Sequence, residues 1–343
     1  MNNQVQAMHG ISRPTMKDVA FRAGVALKTV SRVVNGEPGV TPETTKRVLG
    51  AIQDLGFRRN ESARLLRTGR TATLGFIADN CGDPDHAAVC RGVEEVARDH
   101  GFLVFTGSTD SDPAREEVLA LTMCSRRVDG LIMTPTSGDH GYLVPEMEAG
   151  VAAVFVLRPP ELDDADMVLA DERGGAKAAV AHLIEQGHQR IGFLDGDMTG
   201  YRSRQLMRGY TDAMTAAGLP VDPAWTTLAP QRLLDSQVTA VFCGSREHTL
   251  RALRAVAAAQ HTLTARGRTR RVAVVGFGDF ELADLVSPGV TVVSYDPAEI
   301  GRAAGELLVR RVAGEDGPGA PARRVELPTR LIPRGSAEFP PDD

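Results

Sequence analysis

A short segment near the amino end brings together side chains that donate hydrogen bonds, namely Lys28, Thr29, Ser31 and Arg32. Arg32 can form two parallel hydrogen bonds to a guanine, and Lys28 can reach a base or a phosphate. The hydroxyls of Thr29 and Ser31 can bond phosphate oxygens. Together these residue types are suited to reading a groove of DNA.

Predicted helices must position this segment, and the first of them packs through a single face. Its apolar residues recur at i, i+3, i+4 and i+7, which places them on one side of an α-helix. They are Met16, Val19, Ala20 and Ala23. Thr15 precedes them as the expected N-cap, and we expect Gly24 to end the helix in a left-handed conformation.

The second predicted helix follows the turn at Gly24 and carries the donor side chains. Val30, Val33 and Val34 give it a short inner stripe, which leaves the donors at its start and on its outer face. A third helix opens at Thr41. A helix that presents its first residues in this way is the recognition helix of a helix-turn-helix unit.

Positive charge is concentrated in the same part of the chain. Residues 1–71 hold 12 Lys and Arg against five Asp and Glu, a net charge of +7. The remaining residues hold 27 against 39, a net charge of −12. A basic head on an acidic body indicates a protein that meets a polyanion at one end only.

The totals exclude several classes of protein. A length of 343 residues suggests two or three folded units, and 42% apolar residues is ordinary for a soluble globular protein. Residues 1–13 do not resemble a signal peptide, and apolar runs such as Val151–Leu157 are too short to span a bilayer. The four cysteines lack the spacing of a metal site or a disulfide framework. These features favour a cytoplasmic protein with free thiols and without cofactor or metal.

From Thr73 onward, β-rich runs alternate with helical patterns. Such repeats predict parallel, doubly wound sheets. Two sets of repeats, before and after residue 170, suggest two lobes with a ligand cleft at the carboxyl ends of the strands. The expected helices lie near residues 84–100, 113–126, 141–149, 173–186, 205–217 and 246–259.

The motifs of the head resemble a known family. TMKDVAFRAGV, KTVSRVVNG, PETTKRV and NESARLLRTGRT, all within residues 14–71, are similar to the lactose/galactose repressor family of bacterial transcription regulators. The similarity continues more loosely through the body, for example in SRRVDGLIMTP at 125–135. It implies a DNA-binding regulator, in most cases a repressor, that binds a near-palindromic operator as a homodimer. It also implies a body like a periplasmic sugar-binding protein, in which a small-molecule effector changes the affinity for DNA.

The resemblance further implies a hinge helix at residues 60–68. In the family, such helices pair across the dimer, and a leucine, here Leu66, wedges into the minor groove at the centre of the operator. Two residues depart from the pattern of the family. Ala26 replaces a serine that caps the recognition helix, and Arg59 replaces a proline that precedes the hinge. The predicted DNA contacts are Thr15, Leu27, Lys28, Thr29, Ser31, Arg32, Asn35, Asn60, Arg64 and Leu66.

The predicted organisation places folded domains between two disordered ends. The arm at residues 1–13 and the tail at residues 335–343 are expected to be disordered. The predicted domains are the helix-turn-helix (14–59), the hinge helix and linker (60–72), and the two-lobed effector-binding and dimerisation domain (73–334). By resemblance, residues 291–314 cross back to the first lobe, and about 320–334 return to the second.

The predicted effector cleft departs from the family's pattern. Asp83 to His86 stand where relatives have aromatic residues, and Ser245-Arg246 stand where they have an Asn-Asp pair. We therefore expect an effector other than a neutral monosaccharide, and the arginines suggest a carboxylate or phosphate ligand. A vestigial pocket with solvated arginines is equally compatible with the sequence. The predicted effector-binding residues are Asp83, His86, Arg158, Arg204, Ser245, Arg246 and Asp279.

Other classes of protein remain as alternatives. The altered cleft favours a ligand-independent regulator whose body only dimerises. A soluble solute-binding protein of transport is disfavoured by the basic head. An enzyme is disfavoured because GFGDFE at 276–281 lacks the third glycine of a dinucleotide fingerprint, and no P-loop, GxSxG or HExxH motif occurs.

Overall fold

The computed structural model describes residues 14–57, 70–196, 199–227, 229–264, 271–317 and 319–342. The chain divides into two compact units, Met1–Thr71 and Ala72–Asp343. The predicted arm at residues 1–13 and the predicted hinge contacts Asn60, Arg64 and Leu66 lie outside the described residues.

Within residues 14–57, the first unit forms helices α1 (Met16–Ala23), α2 (Leu27–Val34) and α3 (Pro42–Leu55). Thr15 caps α1 as predicted, because its side chain accepts a hydrogen bond from the Asp18 N–H. The Asp18 carboxylate in turn accepts a hydrogen bond from the Thr15 N–H, at 2.7 Å. Gly24 ends α1 at φ 63°, a conformation that glycine adopts without a Cβ clash.

The apolar faces of these helices meet in one small core. Val19, Val30 and Val48 are fully buried in it, one from each helix. The predicted inner stripe of α2 is confirmed, because Val33 and Val34 pack against the same core. This core determines which face of α2 stays outside.

The second unit consists of two lobes, each built on a twisted, mostly parallel sheet. The strands of the first lobe are β1 (Thr73–Ala78), β2 (Leu103–Ser108), β3 (Gly130–Met133), β4 (Ala152–Val156), β5 (Asp166–Ala170) and β11 (Arg324–Leu327). Their order is β11-β5-β4-β3-β1-β2, and each pair of neighbours is parallel. The helices of this lobe are α4 (Pro84–Asp99), α5 (Pro113–Ser125), α6 (Val144–Glu148) and α11 (Pro297–Ala313), with a 3₁₀ turn at Gly141–Leu143.

Helices cover both faces of the first sheet, which confirms the doubly wound prediction. Apolar residues of α4 and α11 form the core on one face, and those of α5 and the 3₁₀ turn form the core on the other. Glycines bring α4 and α11 into backbone contact. A Cβ on Gly92 would collide with the Ala298 carbonyl oxygen, and a Cβ on Gly301 would collide with that of Val89. The late helix α11 is therefore integral to the first lobe.

The second lobe repeats this architecture. Its strands are β6 (Ile191–Leu194), β7 (Thr226–Thr227), β8 (Ala240–Cys243), β9 (Ala273–Phe277), β10 (Thr291–Ser294) and β12 (Arg330–Ile332). Their order is β12-β10-β9-β8-β6-β7, and only β12 runs antiparallel to its neighbour within the described part of the chain. The helices are α7 (Glu172–Glu185), α8 (Tyr201–Ala216), α9 (Pro230–Asp235) and α10 (Arg246–Thr264), with a 3₁₀ turn at Pro223–Trp225.

The points at which the chain crosses between the lobes differ from the prediction. Residues 291–294 form β10 of the second sheet, so the return to the first lobe begins only after them. Residues 324–327 form β11 of the first sheet, so the final passage to the second lobe falls between β11 and β12. The α8 helix also begins four residues earlier than expected, at Tyr201.

The prediction of a disordered tail at residues 335–343 was wrong. Ser336 and Ala337 are buried, and Phe339 is only 9% exposed in the core of the second lobe. The Ser336 hydroxyl donates to the Val274 carbonyl at 2.6 Å, and a His188 ring nitrogen lies 3.0 Å from the Phe339 carbonyl oxygen. The tail is ordered because its two apolar side chains complete this core. In the described part of the chain, no helix is long and apolar enough to cross a membrane.

Candidate nucleic-acid interface and ligand cleft

The core beneath α2 leaves the predicted DNA-contacting residues on its outside. Leu27 is 44% exposed and Lys28 is exposed, whereas Thr29, Ser31 and Arg32 are half-buried. Within the described residues, the side chains of Lys28 and Arg32 form no hydrogen bond or ion pair. One cation in the first turn and one in the last turn of a short helix are therefore available to an anionic ligand.

Other predicted contacts are engaged inside the head. Thr15 belongs to the capping box of α1, and Asn35 ends α2 with its amide donating to Glu37 Oε1 at 2.9 Å. The same amide lies 3.4 Å from Ser31 Oγ. Ala26 makes no side-chain hydrogen bond at the start of α2, as expected from the loss of the capping serine. The roles of Thr15 and Asn35 in DNA contact remain predictions.

A cavity of about 580 Å³ lies between the two lobes of the second unit. Its wall includes residues that directly follow parallel strands, such as Asp79 after β1, Thr134 after β3 and Asp195 after β6. The cavity therefore opens at the carboxyl ends of the strands, where doubly wound sheets bind their ligands.

The structure brings five of the predicted effector residues to this cleft and leaves two outside it. Asp83, His86, Arg158, Ser245 and Arg246 line the cavity. Their part in binding remains a prediction.

The predicted placement of Arg204 and Asp279 in the cleft is corrected by the structure, because neither residue lines the cavity. Since α8 begins at Tyr201, Arg204 lies on the exposed side of its first turn and donates to the Thr199 carbonyl. Asp279 forms two hydrogen bonds of 2.7 Å with the Arg334 guanidinium. That hydrogen bonding holds the pKa of Asp279 below its usual value and ties the turn after β9 to the carboxyl-terminal segment.

Several lining residues were missed in the sequence. Glu172 begins α7, Asp195 directly follows β6, Arg202 lies in the first turn of α8, and Tyr295 follows β10. The position of Asp195 at the carboxyl end of a parallel strand was a usable signal. Arg202 was missed because the start of α8 was placed four residues too late.

Ion pairs connect the two lobes across the cleft. Arg246 of the second lobe lies 3.2 Å from Asp83 Oδ2 and 3.7 Å from Asp85 Oδ1 of the first lobe. The Tyr295 hydroxyl donates to Asp85 Oδ2 at 2.9 Å. Arg158 pairs with Asp79 at 3.3 Å, within the first lobe. Two of the predicted anion-binding arginines are therefore already paired with carboxylates.

The cleft also holds buried polar atoms without partners. In the described part of the chain, eight buried side-chain atoms lack a hydrogen bond, and five of them belong to lining residues. They are His86 Nδ1, Thr134 Oγ1, Glu172 Oε2, Asp195 Oδ2 and Arg202 Nε. Because such atoms are rare in folded proteins, their concentration here indicates a site shaped for a hydrogen-bonding ligand.

Two of these carboxylates have different proton affinities. Burial raises the pKa of Glu172 to about 7, although the positive charges of Arg202 and Arg158 oppose it. Burial would also raise the pKa of Asp195, but hydrogen bonds with His248 and Ser203 outweigh it and hold that pKa below its usual value. Asp195 is therefore ionised at neutral pH, and Glu172 is partly protonated.

Ser245, His248 and Asp195 lie together but are not arranged as a nucleophilic triad. Ser245 Oγ is 2.8 Å from His248 Nδ1, and Asp195 Oδ1 is 3.5 Å from the same nitrogen. In a triad, the serine hydroxyl and the carboxylate bond opposite nitrogens of the histidine ring, so that the carboxylate orients the histidine and the histidine activates the serine. This geometry favours binding over catalysis.

A helix-turn-helix unit, together with a two-lobed body that encloses a cleft, is typical of DNA-binding regulators. Two protein-family models match this chain. The model for "Bacterial regulatory proteins, lacI family" matches residues 15–60, and the model for "Periplasmic binding protein-like domain" matches residues 180–337. The HTH-type transcriptional regulator CelR of Thermobifida fusca is 34% identical over 94% of this chain and 98% of its own length. The chain therefore belongs to the lacI family and is a DNA-binding transcription regulator.

Solved structures agree with this assignment. A CelR–cellobiose complex is 32% identical, with a TM-score of 0.67 over 94% of this chain and all of that chain. The lac repressor dimer bound to operator and the anti-inducer ONPF is 22% identical, with a TM-score of 0.81 over 96% of this chain and all of that chain. At that identity, the second likeness shows the fold alone. The relative CelR is a transcriptional regulator by its name.

Proposed function

We propose that this protein is a cytoplasmic repressor that binds a near-palindromic operator as a homodimer, with an affinity that a small molecule in the cleft controls. The outer face of α2 is the observation that carries this proposal. It presents Lys28 and Arg32 unpaired within the described residues, above a core that fixes their direction. Two such faces related by a two-fold axis fit two half-sites of a symmetric duplex.

Exposed apolar side chains on the body support dimerisation. Leu103 and Phe105 on the edge strand β2 are 68% and 52% exposed, and Val118 on α5 is 63% exposed. Leu103 and Phe105 alternate with Val104, so they point to the same face of the sheet as Gly107, which faces Leu119 of α5. A second copy that covers this edge would bury these side chains and protect an unpaired strand.

The cleft supports control by a hydrogen-bonding effector. The relative CelR has been solved with cellobiose, and the unpartnered atoms in this cleft suit a hydroxylated ligand of similar kind. Carboxylates in the lining outnumber arginines by six to three. We therefore prefer an effector that is neither an anion nor a neutral monosaccharide.

A ligand-independent regulator is the second candidate, and one observation favours it. Arg246 bridges the lobes to Asp83 and Asp85 through side chains of this protein alone. A body closed by its own ion pairs would hold the heads in one arrangement whatever the metabolite level.

Selection of bound fragments from random DNA, followed by fluorescence anisotropy on the selected site, tests the proposal. A steep fall of log affinity with log salt and a two-fold symmetric consensus are the expected results. Sedimentation should show a dimer that Phe105→Glu weakens, whereas Val221→Glu, at an exposed site on the second lobe, should not weaken it. A protein that prefers no duplex sequence at moderate salt would refute the proposal.

A further inference from the structure

The second-lobe wall of the cleft contains two buried carboxylates. Glu172 and Asp195 are 6% and 5% exposed, and each has one carboxylate oxygen without a partner. Both residues line the cavity. An ionised carboxylate oxygen accepts hydrogen bonds only, so in its ionised form this wall requires donors from whatever occupies the cleft.

We propose that this wall binds the protonated amine of a hydroxylated organic ligand, such as an amino sugar, between Glu172 and Asp195. This inference rests on the proposed role of the cleft as the effector site. It adds the charge of the ligand and the residues that select it.

The neighbouring charges compensate this pair only in part, because one arginine forms a loose ion pair with Glu172 and the partners of Asp195 are a histidine and a serine. Arg202 is the nearest cation to Glu172, but its Nε lies 3.6 Å from Glu172 Oε1, beyond a hydrogen bond. Its guanidinium instead lies 5.2 Å from the centre of the Phe277 ring. Arg158 also attracts Glu172, whereas Asp195 and Glu326 repel it. His248 and Ser203 are the partners that face Asp195.

An ammonium group satisfies this arrangement better than a hydroxyl or an anion does. It offers three N–H donors and a positive charge, whereas a hydroxyl offers one donor and leaves the two carboxylates to repel each other. An anion would add to the repulsion at the unpartnered oxygens.

The remaining unpartnered atoms determine the rest of the ligand. Arg202 Nε is a donor, and Thr134 Oγ1 can donate as well as accept, so both suit hydroxyl or ring oxygens. Among the described residues, no group of three or more His, Cys, Asp or Glu side chains could hold a metal ion, which favours an organic cation. The volume of about 580 Å³ lies within the range of small-molecule sites.

Calorimetry on the full-length protein at pH 7.5 tests the inference with matched disaccharides. The probes are the β-1,4-linked glucosamine dimer, its di-N-acetyl derivative and cellobiose, which share a backbone and differ at the amine. We expect the free-amine disaccharide to bind at least tenfold more tightly than either neutral one. Equal or weaker binding of the free amine, or no binding by any probe, overturns the inference.

Variants locate the effect. Glu172→Gln and Asp195→Asn should each reduce the amine preference to within about threefold, because each removes one negative charge. Glu185→Gln is the control, since it makes the same change at the exposed end of α7. A preference unchanged in both cleft variants overturns the assignment. DNA affinity without ligand, measured in parallel, separates this failure from failure of the proposed function, because the inference can fail while operator binding persists.

Discussion

Glu172 predicts an unusual dependence of stability on pH. Its pKa rises from 4.5 in the unfolded chain to about 7 in the folded protein, because burial of the side chain outweighs the opposing charge of Arg202, whose Nε lies 3.6 Å away. The folded state thus holds the proton more tightly than the unfolded state. This residue's contribution is most favourable below pH 4.5, falls as the pH rises from 4.5 to 7, and is fully lost above that range.

The magnitude follows from the size of the shift. A rise in pKa from 4.5 to about 7 lowers the free energy of unfolding by about 3 kcal/mol at pH 8 relative to pH 4.5. This is on the order of a quarter to a half of the free energy of unfolding of a typical domain. Glu172→Gln removes the ionisable group and retains a side chain similar to the protonated acid. The variant should match the wild type near pH 5 and exceed its stability by about 2–3 kcal/mol at pH 8.

Urea unfolding of the full chain at pH 5, 6, 7 and 8, followed by far-UV circular dichroism, measures the difference between variant and wild type. Glu185→Gln at the other end of α7 is exposed and should show the same small difference at every pH. A Glu172→Gln effect that does not change between pH 5 and pH 8 would refute the argument that burial governs this carboxyl.

Other contacts give predictions of similar sharpness. Arg32→Ala should weaken binding to the selected operator by about 1–3 kcal/mol and relax the base preference at one position. Lys46→Ala on α3 should weaken binding only slightly, and equally for all sequences. Fluorescence anisotropy on a panel of single-base operator variants measures the affinities of both proteins. Arg246→Ala removes a partly exposed inter-lobe pair worth about 1 kcal/mol, so the open fraction of the ligand-free body should rise about fivefold in single-molecule energy transfer between the lobes. Phe339→Ala empties a buried site in the second-lobe core and should cost about 3 kcal/mol in urea unfolding.

Matched controls accompany these variants. Arg254→Ala, at an exposed position of the helix that carries Arg246, should leave the open fraction unchanged. Val221→Ala, at a site that is 38% exposed, should change stability by less than about 0.5 kcal/mol. The reasoning fails for any variant that behaves like its control.

The sequence predicted the architecture well because its signals are local and repeated. The stripe containing Val30 and the glycine turn at Gly24 were confirmed, as were the alternating strands and helices of the body. These features depend on periodicity and backbone conformation, which a single segment reveals.

The cleft was harder to predict because it depends on boundaries and on contacts between distant segments. A four-residue error at the start of α8 exchanged Arg204 for Arg202. Asp279 was assigned to the cleft, since nothing in its own segment reveals that Arg334, 55 positions later, binds it. The prediction of a disordered tail failed for the same reason, because the burial of Phe339 requires a core built by residues far upstream.

The order in which the lobes are completed has a consequence for synthesis. The core of the first lobe needs α11, and its sheet needs β11, although its other strands emerge before residue 171. The second lobe needs β12 and Phe339, which lie after β11 in the chain. The head, whose apolar core lies entirely within residues 16–57, can fold early, whereas the two lobes must wait until β11, β12 and Phe339 have been synthesised. A prematurely terminated chain would therefore carry a folded head on an incomplete body, which makes nascent fragments targets for chaperones and proteases.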